Sequence, residues 1–107
     1  MDFYSAYAHG FVRVAACTVP VSVADPEANV TTIVEQVRAC HEDGVGVAVF
    51  PELCLTGYAI DDLVMQDPVL DAVEAALERL VEASTDLLPV IVVGAPLRHR
   101  NRLYNCA

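Results

Sequence analysis

The spacing of apolar positions changes along this chain, and each change marks an element. Residues 11–18, Phe-Val-Arg-Val-Ala-Ala-Cys-Thr, are β-prone with a single charge, and Pro20 closes the run, which predicts a strand whose Arg13 meets solvent or a partner. Asp25-Pro26 then pairs an N-cap acceptor with a residue whose missing N–H costs nothing in a first helical turn. Behind it Val30, Ile33, Val34 and Val37 fall at helical spacing, and Gly44 supplies a left-handed stop, which predicts an amphipathic helix of about four to five turns. Residues 45–50 are almost wholly apolar up to Pro51, the pattern of a strand covered on both faces.

Asp67-Pro68 repeats the helix-start signal. Leu70, Val73, Leu77, Leu80, Val81 and Ser84 mark one face of this second helix, and Asp71, Glu74, Glu78 and Glu82 mark an acidic face expected to stay in water. Residues 90–94 read as a further buried strand, and residues 98–102 as a polar turn leading into a return strand over 103–107. Strand, helix, strand, helix, strand and the start of a hairpin imply an α/β fold with right-handed crossovers and a largely parallel sheet. The final strand stops almost as it begins, so the unit reads as unfinished.

Composition narrows the class. A chain of 107 residues with 55% hydrophobic residues has room for one domain and wants to bury a core. No apolar run approaches the length of a membrane span, and the first residues lack a basic and then apolar leader, so a soluble, cytoplasmic protein is expected. A net charge of −9 argues against nucleic acid and against an anionic membrane as partners. The cysteines, Cys17, Cys40, Cys54 and Cys106, form no C-x-x-C, so they read as thiols, and no metal site is expected. All six basic residues are arginines, so no lysine chemistry can be completed within these residues.

Ligands of open α/β sheets gather beyond the carboxyl ends of the strands. Glu52 sits there, next to Pro51, in a stretch with no other acid and no arginine. A carboxylate against so much apolar surface suits a general base, the competing reading being an exposed loop acid. Cys54 is the nearest thiol but reads as a small buried hydrophobe. His41 falls in the last turn of the first helix, where an imidazole meets the dipole favourably, and neither His9 nor His99 is placed near a thiol. Gly44-Val45-Gly46 precedes its strand, whereas a phosphate-cradling loop follows one. Arg98, His99, Arg100 and Arg102 form a basic cluster expected to be solvated or paired with the acids of a neighbouring subunit.

Residues 51–58, Pro-Glu-Leu-Cys-Leu-Thr-Gly-Tyr, resemble the glutamate motif of the nitrilase (carbon–nitrogen hydrolase) superfamily. Residues 3–7 and 10–15, Ile60-Asp61-Asp62-Leu63, residues 94–100 and Leu103-Tyr104-Asn105 extend the resemblance to the N-terminal glutaminase domains of glutamine-dependent NAD(+) synthetases. The resemblance implies a partial α-β-β-α sandwich, with residues 1–107 as the N-terminal portion of the glutaminase domain. It implies a Glu-Lys-Cys triad in which Glu52 is the general base, with Tyr58 lining the glutamine pocket. It also implies glutamine as substrate here, no cofactor in this segment, and ATP, Mg2+ and deamido-NAD in a separate synthetase domain of a homo-oligomeric parent.

The departure from that family is large. The chain has no lysine, and none of its cysteines stands at the family's nucleophile position, so it is expected to be inactive alone. Two alternatives remain open at this point: a piece of another superfamily amidohydrolase acting on a free amide or nitrile, and a truncated, inactive interaction module.

Overall fold

The computed structural model describes residues 2–107. Its elements are β1 (Val14–Ala16), α1 (Pro26–Glu42), β2 (Val47–Val49), α2 (Asp67–Ser84), β3 (Val90–Val92), β4 (Ala95–His99) and β5 (Arg102–Cys106), with short 3-10 turns at Ala6–His9 and Asp61–Met65. β1, β2 and β3 form a parallel sheet in that order, and β4 and β5 form a separate antiparallel pair. Two crossovers of the same hand, both moving the chain one strand along, carry α1 and α2 to the same face. Ala15, Ala48 and Ile91 share one row of the register and turn toward that helical layer.

The core lies between the sheet and the helices. Val30, Ile33, Val34 and Val37 are buried as their spacing predicts, and Asp25 caps α1 by accepting from the Ala28 N–H at 3.1 Å. Gly44, at φ 71, stops that helix in the left-handed region. On the sheet's other face Val14, Val49 and Val90 remain 64%, 43% and 64% exposed, so a second layer of the expected sandwich is not supplied by these residues.

Three expectations shift. The predicted strands over 11–18 and 45–50 shorten, although ladder-like bonds continue past them, from Gly46 N–H to the Arg13 carbonyl and from Phe50 N–H to the Val92 carbonyl. α2 buries Leu70, Val73, Ala76 and Leu80, while Val81 is 67% exposed, because the face packed on α1 is centred on Ala76. Asp67 lies inside α2 rather than capping it; Gln66 is the N-cap residue, and the Asp67 carboxylate binds Arg98 instead.

The hairpin also differs from expectation. Only Arg100 and Asn101 form its turn, at φ 50 and 62, the positive pair of a two-residue type I′ connection. Arg98 and His99 therefore belong to β4. Asn101 favours such a turn, but Arg100 conceals it, and Gly94 separates β3 from β4 where the sequence predicts one strand running toward a longer turn.

Candidate functional site

The loop that follows β2 is built from its own turn and from anchors to Gly94, Ala24 and Asn29. Cys54 N–H bonds the Pro51 carbonyl at 3.2 Å, and the N–H groups of Thr56 and Gly57 both reach the Leu53 carbonyl. Leu53 holds φ 52, a left-handed conformation that costs a non-glycine residue about 1–2 kcal/mol and must be over-determined by its surroundings. Gly94, at the end of β3, is one reason it is. A Cβ at Gly94 would lie 2.4 Å from the Leu53 nitrogen and 2.8 Å from the Pro51 oxygen, so only glycine lets the strand end press against this loop.

The other anchors are hydrogen bonds. Leu55 N–H donates to the Gly94 carbonyl at 3.2 Å, and Ala24 N–H donates to the Thr56 carbonyl at 2.8 Å. Asn29, in the first turns of α1 and 2% exposed, donates through Nδ2 to the carbonyls of Leu55 at 2.9 Å and Ser22 at 2.8 Å, and its Oδ1 accepts from Ser22 N–H at 2.7 Å. Sequence reasoning missed this role. The signal was present, because Asn29 stands four residues before Ile33 on the buried stripe of α1, and a polar side chain there demands partners.

Glu52 stands on this loop beyond the carboxyl ends of β2 and β3. Its side chain is exposed, so the apolar enclosure expected from its neighbours in sequence is not formed by these residues: Cys54 and Leu55 turn inward, away from it. Its Oε1 accepts from Asn105 Nδ2 of β5 at 2.5 Å. Glu52 and Asn105 border an open depression of about 340 Å³, shared with Phe50, Pro51, Gly94 and Cys106. In the sequence Asn105 stands 53 residues from Glu52 with nothing to link the two; only the β4–β5 pairing brings it back to Glu52.

Tyr58 is not part of that depression. It lies past Gly57, which turns at φ 84, and its ring is 74% exposed. Cys54 is buried beneath the loop, its Sγ accepting from Gly94 N–H at 3.4 Å, and burial pushes its thiol up from the ordinary value. That is the behaviour of a packed thiol rather than a nucleophile. Cys17 and Cys40 face each other with sulfurs 3.8 Å apart, and burial together with the Cys40 neighbour pushes the Cys17 thiol up to about 11.

The basic cluster is not a uniform solvated turn. Arg98 projects from β4 onto the first turns of α2, where it pairs with Asp67 at 2.8 Å, with Asp71, and with Glu74 at 3.6 Å. The Asp71 hydrogen bond raises its guanidinium pKa further. The acids that answer it belong to this chain's own α2, so part of the acidic face expected to stay in water is a clamp for the hairpin. His41 uses Nδ1 to accept from Leu88 N–H at 2.9 Å, which ties the end of α1 to the approach to β3. At Gly46 the space of a Cβ is taken by Val12 and by the Tyr7 hydroxyl. Among the described residues no three His, Cys, Asp or Glu side chains gather as a metal site, and no helix is long and apolar enough to cross a membrane.

Comparison with known proteins gives this geometry a lineage. Residues 13–107 match the carbon-nitrogen hydrolase family. The chain is 63% identical over its whole length to the glutamine-dependent NAD(+) synthetase of Mycobacterium tuberculosis (strain H37Rv), and 57% identical to that of Mycobacterium leprae, spanning 16% of each. It is 35% identical over 100 residues to the Xylella fastidiosa (strain 9a5c) enzyme of the same name, of which it spans 18%. Among solved structures, a glutamine-dependent NAD(+) synthetase from Cytophaga hutchinsonii superposes with a TM-score of 0.80 at 28% identity, over 89% of this chain and 16% of that one. The α/β arrangement described above is thus that of the N-terminal part of these enzymes, and the chain belongs to the carbon-nitrogen hydrolase family.

Proposed function

We propose that residues 1–107 form the N-terminal part of a glutamine-hydrolysing domain that feeds ammonia to NAD(+) synthesis, with Glu52 as its general base. The observation that carries this reading is the Glu52 carboxylate itself. It stands at the carboxyl end of a parallel sheet, on a loop held by Gly94 and Asn29, with one oxygen tied to Asn105 and its side chain open to the depression. The names and 63% identity of the mycobacterial relatives support glutamine as the substrate.

In this reading a cysteine thiolate attacks the side-chain amide carbon of glutamine, and a lysine ammonium stabilises the oxyanion that forms. Glu52 takes the thiol proton and returns it to the departing ammonia. The chain contributes the base alone: it contains no lysine, and Cys54 is sealed under the loop. Tyr58, exposed at the end of the loop that carries Glu52, is the residue we assign to the glutamine pocket. In this reading ATP, Mg2+ and deamido-NAD belong to a synthetase domain outside these residues, as the names of the relatives suggest. A cytoplasmic homo-oligomer completes the proposal, and the free thiols of Cys17, Cys40, Cys54 and Cys106 suit a reducing compartment.

The test exchanges these residues for the matched 107 residues of the Mycobacterium tuberculosis relative. The isolated chain is expected to release no ammonia from glutamine. The chimera is expected to form NAD from glutamine and to lose that activity by roughly 100-fold or more with Glu52→Gln, the usual worth of a general base. Undiminished turnover by the Glu52→Gln chimera overturns the assignment.

A further inference from the structure

We propose that Asn105 is the positioning residue for Glu52, holding one carboxylate oxygen so that the other is presented to the proton it must take. The inference rests on the reading of Glu52 as base, and it comes from how the hairpin is fixed. Asn105 pairs across the strands with Pro96, which is buried, and two residues further along β4 Arg98 is clamped to Asp67, Asp71 and Glu74 of α2. At the near end, Gly94 presses on the backbone of Leu53 and Pro51. Strand and loop are therefore held against each other independently of the Asn105–Glu52 contact, and the 2.5 Å bond from Nδ2 to Oε1 spans a gap set by the fold.

The chemistry of the pair fits positioning. A glutamate on a loop has three side-chain torsions and samples several rotamers unless something holds it. An amide N–H donor restricts them, and because asparagine does not ionise, it never competes with the base for the proton. A lysine or arginine here would hold the carboxylate as well but would favour its charged form and weaken it as a base. The oxygen left without Asn105, Oε2, accepts no hydrogen bond among the described residues. Alignment of this kind matters because misplacing a catalytic group by about 1 Å costs up to roughly 100-fold in rate.

Two experiments test the proposal. In the chimera carrying these residues, Asn105→Ala is expected to lower kcat for glutamine hydrolysis by roughly 10-fold or more with KM changed less than about 2-fold, because the base is misdirected while the substrate site is left alone. Asn105→Asp sets a second carboxylate against Glu52, and the rising limb of the kcat/KM pH profile is expected to move up by about one unit. An altered fold alone would not shift that limb. Equal kcat and an unmoved limb in both variants overturn the proposal.

The second experiment needs no activity and uses the 107-residue chain. The Glu52 carboxyl carbon, followed by NMR through a pH titration, is expected to shift its midpoint upward by about one unit in Asn105→Asp relative to the unsubstituted chain. Coincident titration curves overturn the contact and the proposal with it. Failure of the underlying reading looks different: Glu52→Gln would then leave glutamine turnover intact, whatever Asn105 does.

Discussion

Asn29 offers a demanding test of how the Glu52 loop is held, because one side chain serves three backbone partners in a site only 2% exposed. Asn29→Ala deletes the bonds to Ser22 N–H, Ser22 C=O and Leu55 C=O. At about 1 kcal/mol net for each bond, and more for partners left buried and unsatisfied, the loss is about 3 kcal/mol. For a domain of this size that lowers the melting temperature by roughly 12 °C or more. Asn29→Asp is the sharper variant. It keeps an acceptor for Ser22 N–H but turns its second oxygen toward two carbonyl oxygens, where Asn29 Nδ2 lies 2.8 Å and 2.9 Å away. Only a protonated carboxyl can donate there, so the folded state raises the pKa of the new Asp above its unfolded value of about 3.9.

The folded variant then binds a proton that the unfolded chain gives up. Its stability relative to the unsubstituted chain is greatest below about pH 4 and falls as pH rises toward the folded pKa, since the slope follows the difference in bound protons. Urea unfolding followed by far-UV circular dichroism, at about pH 4 and about pH 7.5 and in a fixed concentration of TMAO to favour burial, measures both effects. An Asn29→Asp chain within about 0.5 kcal/mol of the unsubstituted one at about pH 7.5, or equally destabilised at both pH values, refutes the reasoning.

Two further outcomes follow from the same packing. Gly94→Ala forces a methyl into backbone atoms that cannot yield, 2.4 Å from the Leu53 nitrogen and 2.9 Å from the Glu52 carbonyl carbon; a loss at or above the roughly 3 kcal/mol end of overpacking costs is expected in urea unfolding, and hydrogen exchange at Leu55 N–H, which donates to Gly94, should accelerate. Because the Cys17 thiol of the folded chain is pushed up to about 11 from an ordinary 9.0, the unfolded chain loses that proton first, and stability is expected to fall across that window, read as a dropping urea midpoint; a midpoint that rises with pH there contradicts the burial of the Cys17–Cys40 pair.

What was legible in the chain was local. α1 and its cap follow from Asp25-Pro26 and the Val30–Val37 stripe, because a helix's start, stop and buried face are set by residues within a few turns of one another. The same holds for the position of Glu52, since Pro51 ends a strand whose apolar run is continuous in sequence. Partial failures share one physical origin. Arg98 reads as solvated turn when its neighbours are Leu97 and His99, and becomes a clamp only when β4 lies along α2. Glu52 reads as enclosed by apolar residues, but Cys54 and Leu55 point inward and leave it at the surface.

The sequence by itself determined the α/β order, the helical stripes, the acidic charge, the absence of lysine and the loop that carries the carboxylate, all properties of residues near one another along the chain or of simple counts. Tertiary structure alone decided which distant groups meet there: Asn105 against Glu52, 53 residues apart, Gly94 against Leu53, and Asn29 against Leu55. Those contacts depend on strand register and on how closely two backbones approach, and neither is written in the spacing of apolar and polar residues.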